Sequence, residues 1–306
     1  MRKGNASAER SGIVVADLGG TQLRVTVYNT AGEERYAQSM ATPRDRPSAL
    51  AEALARAVAG VALPVVGAVV GVPGPVDYEA GRAPWLPNLA EWSNGMTARE
   101  LAETLQIPVI LANDGDLGAL GEHHDGAGRG VDDLVYLTVG TGVGSGVVIG
   151  GRLLHGRWSL AEAGHMVIDH RSGASVEDLG AGPALGRLAE MDPRVVVERC
   201  RRGDKEALAD LRQTADVLAV GLLNLLYCFM PQRAVIGGGL SAAGSLLLEP
   251  MRERVGALGR GLSLSVAEIV EAELGDRAGL LGGRTLGRDA FLTDRGSHGL
   301  TITPPP

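Results

Sequence analysis

Asp17-Leu18-Gly19-Gly20-Thr21 follows directly on the apolar run Ile13 to Ala16, and Gly140-Thr141-Gly142-Val143-Gly144-Ser145-Gly146 follows Leu134 to Val139 in the same way. In each place a strand ends in glycines and a threonine and a second strand departs, Leu23 to Val27 in one and Val147 to Ile149 in the other. Glycine backbone approaches an anion without a Cβ in the way and a threonine hydroxyl adds a hydrogen bond, so both turns read as phosphate-holding hairpins. One Gly-Gly turn alone reads more readily as an ordinary tight hairpin; the pair carries the reading. Asn113-Asp114 end a further apolar run, at the carboxyl end of a strand, where open α/β sheets place their ligands. Asp114 there suits either a proton acceptor for an attacking hydroxyl or a cap for the helix that follows, and the residues alone leave these open. Asn113 can donate and accept, which suits neighbouring hydroxyls. Glu162 and His165 stand three apart and project to one side if their segment is helical or turn-like.

Residues placed this way need strands to end at them and helices to cover those strands. Short apolar runs do alternate with segments of helical period along the chain, the pattern of an α/β fold. Leu50, Leu54 and Val58 predict an amphipathic helix that stops at Gly60, and Val65 to Val70 a buried strand that runs into Gly71-Val72-Pro73-Gly74-Pro75. Thr97 with Glu100 is a capping box. Helices are expected over Gly115 to His123, Leu208 to Phe229 with Pro231 behind it, Leu246 to Ala257 and Ala278 to Leu286. Ala234-Val235-Ile236 predicts a strand that ends in Gly237-Gly238-Gly239. Residues 1–11 and 291–306 carry no periodic signal and are expected to be loose tails.

Composition narrows the function classes. A chain of 306 residues has room for two domains, and its net charge of −7 gives no surplus of Lys and Arg for phosphate backbones, so nucleic acid is not an expected partner. Cys200 and Cys228 cannot build a disulfide framework or a four-cysteine metal site. No apolar run reaches about 18 residues and the start lacks an apolar signal core, so no membrane association is expected and the cytoplasm is the expected location.

Seven signals stand in one order: Asp17 to Thr21, Pro73-Gly74-Pro75, Pro87-Asn88-Leu89 with Trp92, Asn113-Asp114, Gly140 to Gly146, Glu162-Ala163-Gly164-His165, and Gly237-Gly238-Gly239. In that order they resemble the ROK family of sugar kinases and sugar-sensing repressors, over roughly residues 13 to 288. The resemblance implies an α/β, two-domain actin-like (ribonuclease-H-like) ATPase fold with a cleft between its domains. The smaller N-terminal domain would take residues 12–115, completed by the helix near 278–290, and the larger C-terminal domain residues 116–277. It implies phosphorylation of a hexose by Mg-ATP, glucose at the 6-hydroxyl foremost. N-acetylmannosamine, fructose and mannose are the alternative substrates and polyphosphate the alternative donor. Asp114 is then the general base, and Gly74, Asn88, Asn113, Glu162, His165 and Glu177 contact the sugar. Gly19, Gly20, Thr21, Thr141, Gly142 and Gly146 are assigned to the ATP phosphates, Gly238 and Gly239 to the adenosine, and Asp17 to Mg²⁺. A homodimer is expected.

One departure stands out. Many members bind zinc through a Cys-x-Cys-Gly-x-x-Gly-Cys run and the histidine, whereas Met166 to Val176 here contains no cysteine. His165, Asp169 and His170 make a poor tetrahedral site, so no zinc is expected and the loop ahead of Glu177 must be held by packing and hydrogen bonds. Sugar preference is the property this departure touches. A repressor would need a DNA-binding segment ahead of the first hairpin, where only twelve residues precede Ile13. A sugar-binding protein without catalysis is disfavoured by the intact Asp17, Asn113, Asp114 and glycine turns. His123, His124, His155 and His298 are read as non-catalytic, and Arg199-Cys200-Arg201-Arg202 as a solvated helix end.

Overall fold

The apolar run that leads into Asp17 forms strand β1 (Gly12–Leu18), the middle strand of a five-stranded sheet. The computed structural model describes residues 11–44, 48–87, 89, 92, 94–159, 162–259 and 267–306. Residues 1–10 of the expected N-terminal tail lie outside them, as does Asn88. The chain divides into two units, residues up to 121 with 155–159 and 277–306, and residues 122–154 with 160–276.

The first unit continues with β2 (Gln22–Asn29), β3 (Glu34–Ala41), α1 (Ser48–Ala59), β4 (Val65–Val72), β5 (Arg82–Ala83), β6 (Met96–Thr97), α2 (Ala98–Leu105), β7 (Val109–Asn113) and the start of α3 (Asp114–Asp125). Its sheet runs β3-β2-β1-β4-β7, antiparallel from β1 to β3 and parallel from β1 to β7. Parallel strands covered on both faces read as unbroken apolar runs, which is why β1, β4 and β7 were visible in the sequence. Edge strand β3 alternates instead, its every second residue turned outward. The Thr97–Glu100 capping box is present in both directions and starts α2.

The second unit holds β8 (Leu134–Val139), β9 (Val143–Ile149), β10 (Arg152–Leu153), α4 (Val176–Gly180), α5 (Gly182–Ala189), α6 (Pro193–Arg201), α7 (Lys205–Phe229), β11 (Arg233–Gly237), α8 (Ser245–Leu258) and β12 (Glu268–Glu271). Its sheet, β10-β9-β8-β11-β12, repeats the pairing of the first, antiparallel through β9 and β10 and parallel through β11 and β12. Helix α7 starts on the Asp204 carboxylate, which accepts from the N–H groups of Glu206 and Ala207, and stops at Met230 in the left-handed region just before Pro231. Among the described residues, no helix is long and apolar enough to cross a membrane.

Helix α9 (Ala278–Phe291) returns to the first unit and packs on its sheet through glycines. A Cβ on Gly282 would fall 1.8 Å from the Leu117 carbonyl oxygen, one on Gly121 2.2 Å from that of Ala278, and one on Gly283 2.4 Å from Val15. The α3 and α9 backbones therefore touch directly.

Three expectations about the domains need correction. The border after residue 115 moves to 121, because α3 continues without a break and its glycine face belongs to α9. The first unit is no smaller than the second, since it also takes in 155–159 and everything from 277 onward. The segment beyond 291 is packed: Thr303 and Val109 exchange both backbone hydrogen bonds at 2.9 Å, and Leu300 is buried. That contact covers the outer side of β7, which would otherwise present unpaired backbone groups. Because backbone atoms cannot swing aside, Gly282→Ala should cost about 3 kcal/mol of stability, the upper end for overpacking. A denaturant midpoint equal to the parent's would show that α3 and α9 can part at no cost.

Candidate functional site

In the first unit the turn from β1 to β2 is tight because glycine permits it. Gly19 donates to Gln22 O at 2.8 Å, and a Cβ on Gly19 would lie 3.0 Å from that oxygen. The Thr42 hydroxyl donates to Gly19 O at 2.6 Å and braces the turn from β3's end, while Thr21 is exposed at its tip. Asp17 sits at the base of the turn. Arg24, its partner in the β1/β2 register, places Nη1 3.3 Å from Asp17 Oδ2, and the first turn of α9 stands beside the carboxylate at Gly279. Arg24 was not singled out from the sequence, although the hairpin register that a four-residue turn sets would have placed it opposite Asp17.

The end of β7 separates three polar residues by burial. Asn113 is 3% exposed and Asp116 fully buried, whereas Asp114 between them is exposed. Asn113 Oδ1 accepts from the N–H groups of Gly115 at 2.7 Å and Asp116 at 3.3 Å, and its Nδ2 donates to Gly74 O at 2.8 Å. Asn113 thus caps the helix and spends much of its hydrogen-bonding capacity there, while Asp114 Oδ1 also accepts from the Gly115 N–H at 2.9 Å. Gly74 has a φ of +83° and a Cβ on it would meet Pro87 at 2.5 Å, so glycine is needed to bring its carbonyl to Asn113.

The second unit gathers the other assigned residues around its own turn. Gly140 donates to Gly142 O and accepts from Gly182, both at 2.8 Å, and the Val143 N–H donates to Glu177 Oε2 at 2.7 Å. A Cβ on Gly142 would fall 2.5 Å from that same oxygen. Gly238, with a φ of +84°, lies on the backbone of Val139, and Gly239 leaves open space beside Gly140. Gly140, Thr141, Gly182, Arg194, Arg201 and Gly239 line a cavity of about 680 Å³. Arg201, read from the sequence as part of a solvated helix end, faces this cavity and donates to Ala242 O at 2.7 Å. Gly146, also assigned to the phosphates, is buried within β9 opposite Tyr136. The chain becomes a strand already at Val143, and each strand residue adds about 3.4 Å.

Glu162 and His165 flank a short 3₁₀ turn tucked against Val143, where a Cβ on Gly164 would meet the Val143 carbonyl at 2.1 Å. His165 Nε2 lies 3.3 Å from Glu162 Oε2. Burial raises the Glu162 pKa; the nearby His165 opposes this and the Glu177 charge adds to it. The cysteine-free loop is a hydrogen-bonded hairpin. Val167 bridges Ser175, Asp169 Oδ2 accepts from the Ser172 hydroxyl at 2.6 Å, and its Oδ1 accepts from Arg171 N–H at 3.0 Å. A second capping box, Ser175 with Asp178, then starts the helix that carries Glu177. Among the described residues no three His, Cys, Asp or Glu side chains converge on one point, so a metal at Asp17 would draw its further ligands from phosphate and water. Since Glu177 holds the backbone of the glycine turn, Glu177→Ala should lower affinity for a non-hydrolysable ATP analogue about tenfold in titration calorimetry. Unchanged affinity would mean the turn keeps its shape without that bond.

The chain matches the family model described as "ROK family" over residues 13–290. It is 31% identical to the glucokinase of Thermotoga maritima, over 90% of this chain and 96% of that protein. Among solved structures it is similar to a ROK family glucokinase from Streptomyces griseus in complex with glucose and AMPPNP, with TM-score 0.77 and 28% identity over 91% of this chain and 100% of the other. The ROK hexokinase of Thermus thermophilus gives TM-score 0.77 and 32% identity over 89% and 96%. With the actin-like fold of these kinases, and a family match across nearly all of its described length, the chain belongs to the ROK family.

Proposed function

We propose that this chain, an ATP-dependent sugar kinase, phosphorylates glucose at the 6-hydroxyl with Asp114 as general base. The observation that carries the reading is the burial contrast at the end of β7: Asn113 and Asp116 are buried, while Asp114 between them, its Oδ1 accepting from the Gly115 N–H, is the exposed carboxylate. Phosphoryl transfer asks the protein mainly for alignment, charge neutralisation and an acceptor for the hydroxyl proton. Asp114 takes that proton as the new oxygen–phosphorus bond forms. Glu162 and His165 accept from and donate to ring hydroxyls, with Gly74 and Asn113 on the sugar side of the first unit. The glycine turns at Gly19 to Thr21 and at Thr141 to Gly142 hold the ATP phosphates, and Gly238 and Gly239 give room to the adenosine. Mg²⁺, when bound, neutralises charge on the transferring phosphoryl group, and Asp17 is the residue that would hold it. The reading includes no zinc, a cytoplasmic location and a homodimer.

The similarity to glucokinases supports glucose as the substrate. Purified protein with Mg-ATP should phosphorylate glucose at a higher kcat/KM than N-acetylmannosamine, fructose or mannose. A different best sugar would overturn the choice of glucose, and activity with polyphosphate but not ATP would overturn the donor. Asp114→Asn should lower kcat by a factor on the order of 10² to 10⁴, the usual worth of a general base, and leave sugar binding near normal. Near-normal turnover would remove Asp114 from its role.

Glu162 gives a pH dependence with a definite sign. Only the ionised carboxylate accepts from two hydroxyls, and its raised pKa means that it takes up a proton at a higher pH than an ordinary glutamate. Acidification should therefore raise the KM for sugar before ordinary carboxylates titrate, with less effect on kcat. In Glu162→Gln that rise should vanish; its persistence would assign it to another group.

A further inference from the structure

We propose that Tyr78 and Asp116 are positioning residues for the transfer reaction, holding the backbone on either side of Asp114 so that its carboxylate meets the sugar hydroxyl. The proposal rests on the reading of Asp114 as the base. Tyr78 lies in the connection between β4 and β5 and is 2% exposed. Its hydroxyl donates to Asp116 Oδ2 at 2.5 Å and accepts from the Asn113 N–H at 3.1 Å. One phenol oxygen thus holds the residue just before Asp114 and the residue two beyond it.

The arrangement has a cost that packing alone does not explain. A phenylalanine would fill nearly the same volume, and a buried polar pair is often no more stable than an apolar one of similar shape. Here the pair sets a direction. Burial, followed by the Asp116 charge and its hydrogen bond, holds the Tyr78 phenol well above its ordinary pKa, so it remains the donor. Tyr78 is itself gripped from two sides. Its N–H donates to Arg157 O at 2.8 Å, its carbonyl accepts from Thr301 at 3.2 Å, and its ring meets the His155 ring edge-on with centroids 5.0 Å apart. Arg157 also pairs with the buried Asp77 at 3.0 Å, and His155 Nε2 lies 3.0 Å from His298 O. The segment 155–159 and the chain beyond α9 therefore both converge on the tyrosine that sets the end of β7.

The test compares variants with the best sugar and Mg-ATP at saturation. Tyr78→Phe should lower kcat between about tenfold and a hundredfold, the scale of a misplacement near 1 Å, while both KM values stay within about threefold. Its thermal midpoint should fall, because the buried Asp116 carboxylate and the Asn113 N–H each lose a partner, so kcat is read well below that midpoint, where the variant is fully folded. Asp116→Asn keeps an acceptor for the phenol and should rescue kcat to within about threefold of the parent, whereas Asp116→Ala should lose as much as Tyr78→Phe. The double variant Tyr78→Phe/Asp116→Ala should be no worse than either single, because the two act as one unit. An unchanged kcat in Tyr78→Phe, or a loss that disappears once kcat is corrected for the folded fraction at the assay temperature, overturns the proposal. If Tyr78→Phe does not fold, equal kcat in Asp116→Asn and Asp116→Ala overturns it instead. Asp114→Asn is measured alongside. Inactive Asp114→Asn with full activity in Tyr78→Phe sinks the positioning role alone, and an active Asp114→Asn sinks the base and the positioning together.

Discussion

Asn113 occupies a position where a buried strand must give way to a helix without leaving backbone groups unpaired. Its carboxamide satisfies two N–H groups at the start of α3 and the carbonyl of Gly74 in one stroke. A buried N–H without a partner costs about 1–3 kcal/mol, so this single side chain removes a large local penalty. The Gly115 N–H is shared with Asp114 Oδ1 at 2.9 Å, so the backbone that Asn113 caps also steadies the Asp114 carboxylate while that side chain stays exposed.

The glycines answer the same constraint of backbone meeting backbone. At Gly282 and Gly121 two helices touch through their main chains, at Gly74 a loop must reach a side chain, and at Gly142 a carboxylate must reach a neighbouring N–H. Each allows a contact that a methyl group would block. In both sheets the glycine turn joins the central strand to its antiparallel neighbour, β1 to β2 and β8 to β9, with parallel strands on the other side. The turns were recognisable as a pair because the two sheets share one pairing scheme.

Much of the fold was readable in the sequence where the signal is local. Continuous apolar runs gave β1, β4, β7, β8 and β11, and the Thr97–Glu100 box and the Pro231 stop marked helix ends to within a residue or so. What was missed depends on contacts distant along the chain. The bridge from Thr303 to Val109 joins residues nearly two hundred apart, and no periodicity in a short segment announces it. The insertion of 155–159 into the first unit is of the same kind. In the candidate site, residue types pointed to Asp17, Asn113 and Asp114. Burial then had to separate the buried Asn113 and Asp116 from the exposed Asp114, and only strand register shows that Gly146 lies inside β9 opposite Tyr136. Tyr78 carried no signal at all, since a tyrosine in a loop gains meaning only from what its hydroxyl reaches.

The loop before Glu177 shows how one constraint can be met by other chemistry. Its place near the glycine turn requires a fixed path from His165 to α4, and here that path is closed by hydrogen bonds. Asp169 accepts from Arg171 and Ser172, Gly173 turns the chain at a φ of +75°, and Val176 donates back to Met166 O at 3.0 Å. The Ser172 hydroxyl bond, with the Arg171 N–H after it, holds the Asp169 carboxyl below its ordinary range, so the anchor stays ionised well into mild acid. Met166 to Val176 contains no thiol, so oxidation of cysteine within the loop has nothing to act on. The position of Glu177, and through it the shape of the turn at Val143, then depends on the internal bonds of the loop and on the Ser175–Asp178 box.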